Sequence, residues 1–245
     1  MPFNLFSTLS NKQILDVNIG LEREGLRVTS EGALSLTAHP AVFGDKKEHP
    51  YITTDFSESQ IELITPVFHT TNDAVDFLDS LYNIAALELG NEFIWPQSMP
   101  AITPEVEDIP IAIFPNQEKD EQYREYLRNK YGGKKQLISG IHINFSLGDA
   151  LIQTLYTKTN QQKSYQAFKQ DLYLKLTRNY LRYQWFLVYT LGASNTIHTT
   201  YEKKCVDTME EISPETYSNN KAISYRNSLC GYQNKETKDL SVREW

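Results

Sequence analysis

Cysteine is scarce in this chain: only Cys205 and Cys230 occur in 245 residues. They fit no CxxC metal spacing. Two thiols in so long a chain do not make a disulfide scaffold, so a reducing cytoplasm is the expected setting. Long apolar runs are missing as well. The longest, Trp185 to Leu191, falls far short of the roughly 20 residues that a membrane span needs. The first six residues have neither the basic nor the apolar region of a signal peptide. Positive charge is in deficit: the net charge is −7, and Lys and Arg are scattered apart from the pairs Lys134-Lys135 and Lys203-Lys204. No basic stripe marks a nucleic-acid binder. There is no GxxxxGK[ST] loop, GxGxxG turn, GxSxG elbow or HExxH helix, so P-loop, dinucleotide and common hydrolase readings lose their usual support.

What remains is enough chain for one large domain or two small ones, with a real core. Residues 17–28 read as a strand broken by Gly20 and Gly25, and residues 33–37 as a segment that pairs back on it. Residues 51–54 and 60–65 read as extended. Thr70 or Thr71 caps a helix over 72–91 with an apolar stripe at 3–4 spacing. Five prolines between Pro96 and Pro115 make that stretch irregular. A short helix is expected at 120–131, ended by Gly132-Gly133, then a strand at 135–147 and a long aromatic-rich helix at 163–191. Residues 199–220 are polar and uninformative. The order is not a regular βαβ alternation, so the fold class is α+β.

Carboxylates inside β-type runs are the chemically pointed feature. Glu22 and Glu24 share one face of a strand and repel unless a cation lies between them. Mg²⁺ is the usual cation for such oxygen-rich clusters, above all where substrate phosphates complete the shell. A solvated strand face carrying two acids gives the same pattern, with Arg23 and Arg27 as neutralising neighbours. Asp55 and Glu62 flank a second acidic stretch, and Glu62 stands alone among Ile61, Leu63 and Ile64, a costly position without a partner. Glu58, between them, reads as a surface residue. In residues 138–147, Ile141, Ile143, Phe145 and Leu147 take one face of a strand, and His142, Asn144 and Ser146 take the other. A neutral imidazole is a minority ligand for Mg²⁺ or Mn²⁺. Near the C-terminus, Arg226 has the fork geometry to bind a substrate carboxylate, and Tyr232 follows a glycine that would present its ring.

Together these blocks resemble the glutamate–cysteine ligase family, in its bacterial version and in the N-terminal part of bifunctional glutathione synthetases. The blocks are GLEREGLRV at 20–28, ITTDFSESQIELITP at 52–66, WPQSMP at 95–100, YREYLRNKYG at 123–132, ISGIHINFSL at 138–147, RNYLRYQWFLVYTLGAS at 178–194 and SYRNSLCGYQNK at 224–235. They run in the family's order along nearly the whole chain.

The resemblance implies a single domain over residues 1–245 with a curved antiparallel sheet of the glutamine synthetase type, flanked by helices. It implies ATP-dependent ligation of the γ-carboxylate of L-glutamate to L-cysteine, the first step of glutathione synthesis, in the cytoplasm and without nucleic acid or membrane. By position, Glu22, Glu24, Asp55, Glu62 and His142 match the family's Mg²⁺ (or Mn²⁺) set. Tyr123 and Tyr232 match tyrosines near cysteine; Arg226, and less firmly Gln136, match residues near glutamate. The family's longer members carry a further Glu-x-Arg segment that completes the site, together with much of the ATP site. No such segment occurs here. The chain is therefore expected to be a fragment, a truncated product or a half that works with a second chain, with impaired ligation. A non-catalytic module binding metal or amino acid is the alternative.

Overall fold

The computed structural model describes residues 3–114, 118–159, 162–192, 195–219, 224–225, 228 and 230–231. Its helices and antiparallel sheets make an α+β fold. The axis of the main sheet is β1 (Val17–Val28), a single unbroken strand despite its two glycines. Gly25 is needed there because a Cβ would lie 2.7 Å from Ile94 Cγ2. Strands β2 (Ile52–Thr54) and β3 (Gln60–Ile64) follow on one side of β1, in the order β2-β3-β1. The short β4 (Phe93–Ile94) pairs with the last two residues of β1, and β5 (Ile141–Leu147) with its first seven. All these pairings are antiparallel. A second sheet, in the order β6-β8-β7, holds β6 (Thr196–His198), β7 (Glu210–Ser213) and β8 (Thr216–Ser218).

Among the described residues, helices α1 (Asn11–Ile14), α2 (Thr71–Glu88), α3 (Glu118–Tyr131), α4 (Gly133–Gln136), α5 (Asp149–Thr157) and α7 (Lys203–Val206) lie between or before the strands. The longest described helix is α6 (Tyr165–Leu191). The α2 helix starts at Thr70, whose hydroxyl accepts a hydrogen bond from the Asp73 amide at 3.2 Å, and Asp73 faces the positive helix end. Leu81, Ala85 and Leu89 then pack on Ile52, Ile61, Leu63 and Ile94, covering one face of the sheet. The first half of α6 packs through Phe168 and Leu172 on Leu151, Ile152 and Leu155 of α5.

The sequence expectation fails in several places. Residues 133–136 are a helical turn, set off from α3 by Gly132 with a φ of 97°, and the strand starts only at Ile141. The polar stretch 199–220 holds α7 and the β7–β8 hairpin, which its polarity concealed. Residues 33–37 do turn back on β1, but only through an isolated bridge between Val28 and Leu34. Cys205 and Cys230 are joined in a disulfide; chain spacing did not reveal that both pack into one apolar cluster with Ile138, Ile197 and Tyr225.

Glu58 is not a surface residue but is buried. It pairs with Lys46 and accepts hydrogen bonds from the amides of His39 (2.9 Å) and Ile113 (2.8 Å). Nor do the arginines of β1 neutralise its glutamates. Arg23 lies over the Tyr82 ring at 4.2 Å. Arg27 is fully buried, pairs with Glu92, and donates to the carbonyls of Thr37, Ala38 and Glu58.

This polar cluster makes stability acid-sensitive. The His39 pKa is pushed down to about 4, first by burial and then by Lys46 and Arg27. Between the ordinary 6.5 and 4 the unfolded chain binds a proton that the folded one refuses. His39 thus contributes stability that is whole above pH 6.5 and is lost as pH falls through 4. Burial raises the carboxyls of Glu58 and Glu92. Bonds from Lys46 and two amides outweigh this for Glu58, and Ser35 and Arg27 outweigh it for Glu92, leaving both below the ordinary 4.5. Their stabilisation is whole above pH 4.5 and disappears at lower pH. Thermal melts followed by circular dichroism should therefore show Tm falling in two stages on acidification, and His39→Gln should remove only the first. In the second cluster, Cys205→Ser should cost roughly 3.5 kcal/mol, the loop-closure value for a bridge with a sequence separation of 25. Excess dithiothreitol should reduce that difference sharply, in denaturant titrations of both proteins.

Candidate metal and substrate site

Register decides which side chains meet. In the antiparallel pairing of β1 with β3, Glu24 stands opposite Glu62. On the other side of β1, Glu22 stands opposite His142 and Gly20 opposite Asn144. Directly opposed residues in an antiparallel pair bring their Cβ atoms to roughly 5 Å. Glu62, Glu24, Glu22, His142 and Asn144 therefore share one sheet face, on the side opposite the apolar residues that α2 covers.

His142 bridges the two glutamates of β1. Its Nδ1 lies 3.2 Å from Glu22 Oε2, and its Nε2 lies 3.5 Å from Glu24 Oε1. The remaining carboxylate oxygens are also engaged. The amide of Gly140 donates to Glu24 Oε2 at 2.8 Å, and the Asn144 amide to Glu22 Oε1 at 2.7 Å. The Glu24 side chain is almost fully covered while that of His142 is half exposed, so the cluster opens to solvent on its β5 side.

Glu62 shows the charge balance of this face. Its pKa is pushed up to about 7, first by burial and then by Asp55, Glu24 and Glu22; His142 opposes them only weakly. Four carboxylates thus share a neighbourhood with one imidazole. Such an oxygen-rich, net-negative set fits a hard divalent cation. Among the described residues, no three His, Cys, Asp or Glu side chains converge tightly enough to mark a metal centre by themselves.

The expected substrate residues are distributed differently. Tyr123 is on α3, 59% exposed, with its ring stacked on Tyr126 at a centroid distance of 6.5 Å. The next residue moors this helix: Arg124 Nε donates to the Asp55 carbonyl at 3.0 Å, and its guanidinium lies over Phe114. Gln136 ends α4, four residues before the Gly140 that holds Glu24, and its buried Nε2 has no hydrogen-bond partner among the described residues. Arg226 and Tyr232 lie outside the described residues. Sequence reasoning left three contributors without a role: Asn144, the Gly140 amide and Arg124. Strand alternation had placed Asn144 on the correct face, whereas nothing local separates Arg124 from its charged neighbours.

Known proteins resemble this chain over nearly its whole length. The family model for glutamate-cysteine ligase matches residues 4–244. The chain is 45% identical over 228 residues to the glutathione biosynthesis bifunctional protein GshAB of Desulfotalea psychrophila, covering 92% of this chain and 29% of that protein. Among solved structures, the bifunctional glutathione synthetase of Pasteurella multocida superposes with a TM-score of 0.83 at 39% identity, over 98% of this chain and 30% of that one. The glutamate–cysteine ligase of Francisella tularensis, solved in complex with AMP, gives a TM-score of 0.76 at 35% identity, over 88% of this chain and 43% of that one. The chain thus spans less than half the length of each of these relatives, and it belongs to the glutamate–cysteine ligase family.

Proposed function

We propose that this chain carries the metal-holding part of a glutamate–cysteine ligase site. The reaction joins the γ-carboxylate of L-glutamate to the amine of L-cysteine at the expense of ATP. The observation that carries the reading is the shared face of Glu22, Glu24, Glu62 and His142 with Asp55 beside it. These five residues would hold Mg²⁺ or Mn²⁺. When bound, the ion neutralises phosphoryl oxygens during transfer to the glutamate carboxylate.

The chain's own residues do the rest by position and charge. The Gly140 amide and the Asn144 side chain fix Glu24 and Glu22 in orientation. This limits the reorganisation that a loosely held carboxylate would need. The Gln136 amide nitrogen is a buried donor without an acceptor among the described residues, a state that costs roughly 1–3 kcal/mol and that a substrate carboxylate would relieve. Arg226 would pair with glutamate, and Tyr123 and Tyr232 would line the cysteine side. ATP phosphorylates the γ-carboxylate, and the cysteine amine then displaces phosphate from the acyl phosphate. The need for ATP is the support for a cytoplasmic setting. Among the described residues no helix is long and apolar enough to cross a membrane.

A second reading has its own support. The chain covers 43% of the single-function Francisella ligase, and the family's Glu-x-Arg block is absent from its sequence. By itself it would then be a module that binds a cation and amino acids without turnover.

Calorimetric titration with Mg²⁺ should show binding that Glu24→Ala and Glu62→Ala each weaken at least tenfold, while both variants keep their far-ultraviolet dichroism. Wild-type affinity in both variants would remove the metal assignment. With L-glutamate, L-cysteine and ATP present, the chain alone should release phosphate ~10²–10³-fold more slowly than an intact family member, the usual effect of losing one charge-stabilising contact. Full turnover would overturn the proposed impairment, and unaltered Mg²⁺ binding with no release at all would select the module.

A further inference from the structure

The carboxylate face of the sheet does not end at Glu62. Gln60 lies two residues before it on β3, so strand alternation puts both side chains on one face. Register sets Gln60 opposite Leu26, as it sets Glu62 opposite Glu24. Leu26 belongs to the apolar cluster of Val28, Phe56 and Leu137. Gln60 therefore stands where the acidic part of the face passes into core, and it is fully buried.

An amide is a costly side chain at that place. Its Oε1 is buried with no hydrogen-bond partner among the described residues, and its Nε2 donates to Ser139 Oγ at 3.4 Å. A buried polar atom left unpaired loses the hydration it had in water, whereas an apolar side chain of the same shape carries no such penalty. Methionine would fill the same unbranched volume. Stability therefore does not account for the amide, and an unpaired buried group calls for another reason.

That reason lies in what Ser139 holds. Residues 137–140 join the end of α4 to β5. The Ser139 amide donates to the Ser98 carbonyl at 2.9 Å, and its carbonyl accepts from Ser98 Oγ at 2.6 Å. Its hydroxyl, the acceptor of the Gln60 bond, donates to the Leu137 carbonyl at 3.4 Å. The next residue, Gly140, is bound to Glu24 twice. Its carbonyl accepts the Glu24 amide at 3.0 Å, and its own amide donates to Glu24 Oε2. The carbonyl of Gln60 meanwhile accepts the Asp55 amide at 3.1 Å. One residue thus touches both arms of the site: the β2–β3 turn that begins at Asp55, and the turn that orients Glu24.

We propose that Gln60 is a positioning residue of the carboxylate site. Its amide anchors Ser139, and Ser139 fixes the Gly140 amide that sets the orientation of Glu24. The position gives up stability for the geometry of the neighbouring site, as functional sites commonly do. The inference deepens the metal reading and rests on it for Mg²⁺ affinity, but not for the order of the Gly140 amide.

Gln60→Met, Ser139→Ala and the double variant in the full chain separate these roles. Gln60→Met should keep Tm or raise it by up to about 4 °C, the shift that relief of one unpaired buried group gives in a chain of this size. It should weaken Mg²⁺ binding about tenfold by calorimetry, the low end of the effect of losing an outer-shell partner. Ser139→Ala should weaken it similarly, and the double variant no further, because both act through one contact. In metal-free protein the Gly140 amide, followed by NMR, should exchange its hydrogen about tenfold faster in Gln60→Met, because local opening governs exchange. A lowered Tm in Gln60→Met makes the residue a structural one and overturns the proposal. So do unchanged exchange at Gly140, unchanged Mg²⁺ affinity where the wild type binds, and losses that add in the double variant. If the wild-type chain binds no Mg²⁺, the metal reading fails by itself, and Gly140 exchange alone decides the positioning.

Discussion

Glu24 opposite Glu62 is the constraint on which the structure turns. Two like charges directly across an antiparallel pair are unfavourable; Glu24 is almost fully covered, and burial together with the neighbouring acids pushes the Glu62 pKa up to about 7. The fold does not relieve the repulsion with its own arginines. Arg23 serves the helical side of the sheet and Arg27 is committed to Glu92 and to three carbonyls. His142 and the Gly140 amide instead hold Glu24, and His142 and Asn144 hold Glu22, all from β5 or the turn before it. A site built in this way stores negative charge and keeps the carboxylates oriented. Those are the two properties that a divalent cation with phosphate ligands requires.

The two faces of the sheet divide the work. One gathers the carboxylates, and the other is apolar and buried beneath α2 wherever α2 reaches. Beyond α2 the same alternation continues along β5 with nothing described upon it, and the aromatic half of α6 is in the same condition. The pairs of Arg27 with Glu92 and of Lys46 with Glu58 tie down the turns that lead into β4, β2 and β3. They hold the acidic strands in register without entering the site.

Much of this was legible in the chain. Periodicity of two placed Glu22 with Glu24, and His142 with Asn144, on common faces, because strand geometry is local. A capping threonine and a 3–4 stripe located α2, and the missing motifs removed whole classes of chemistry. The illegible parts share one physical cause: they depend on residues distant in sequence. Glu58 looked like a surface acid because Lys46 and the Ile113 amide reach it only after folding. The bridge between Cys205 and Cys230 depends on a shared apolar cluster, and the roles of Arg23 and Arg27 depend on Tyr82 and Glu92.

By itself, then, the sequence determined the acidic and apolar alternation of β1, β3 and β5, the family resemblance, and the absence of the Glu-x-Arg block. Strand alternation and motif spacing are properties of the local chain. Only the tertiary structure decided that Glu24 meets Glu62 and that His142 lies between the glutamates of β1, because strand register brings together residues 38 and 120 positions apart. It alone decided which apolar residues are covered. The sequence pattern of Ile143 is that of a core residue, and its exposure follows from where α2 ends and what stands beside β5.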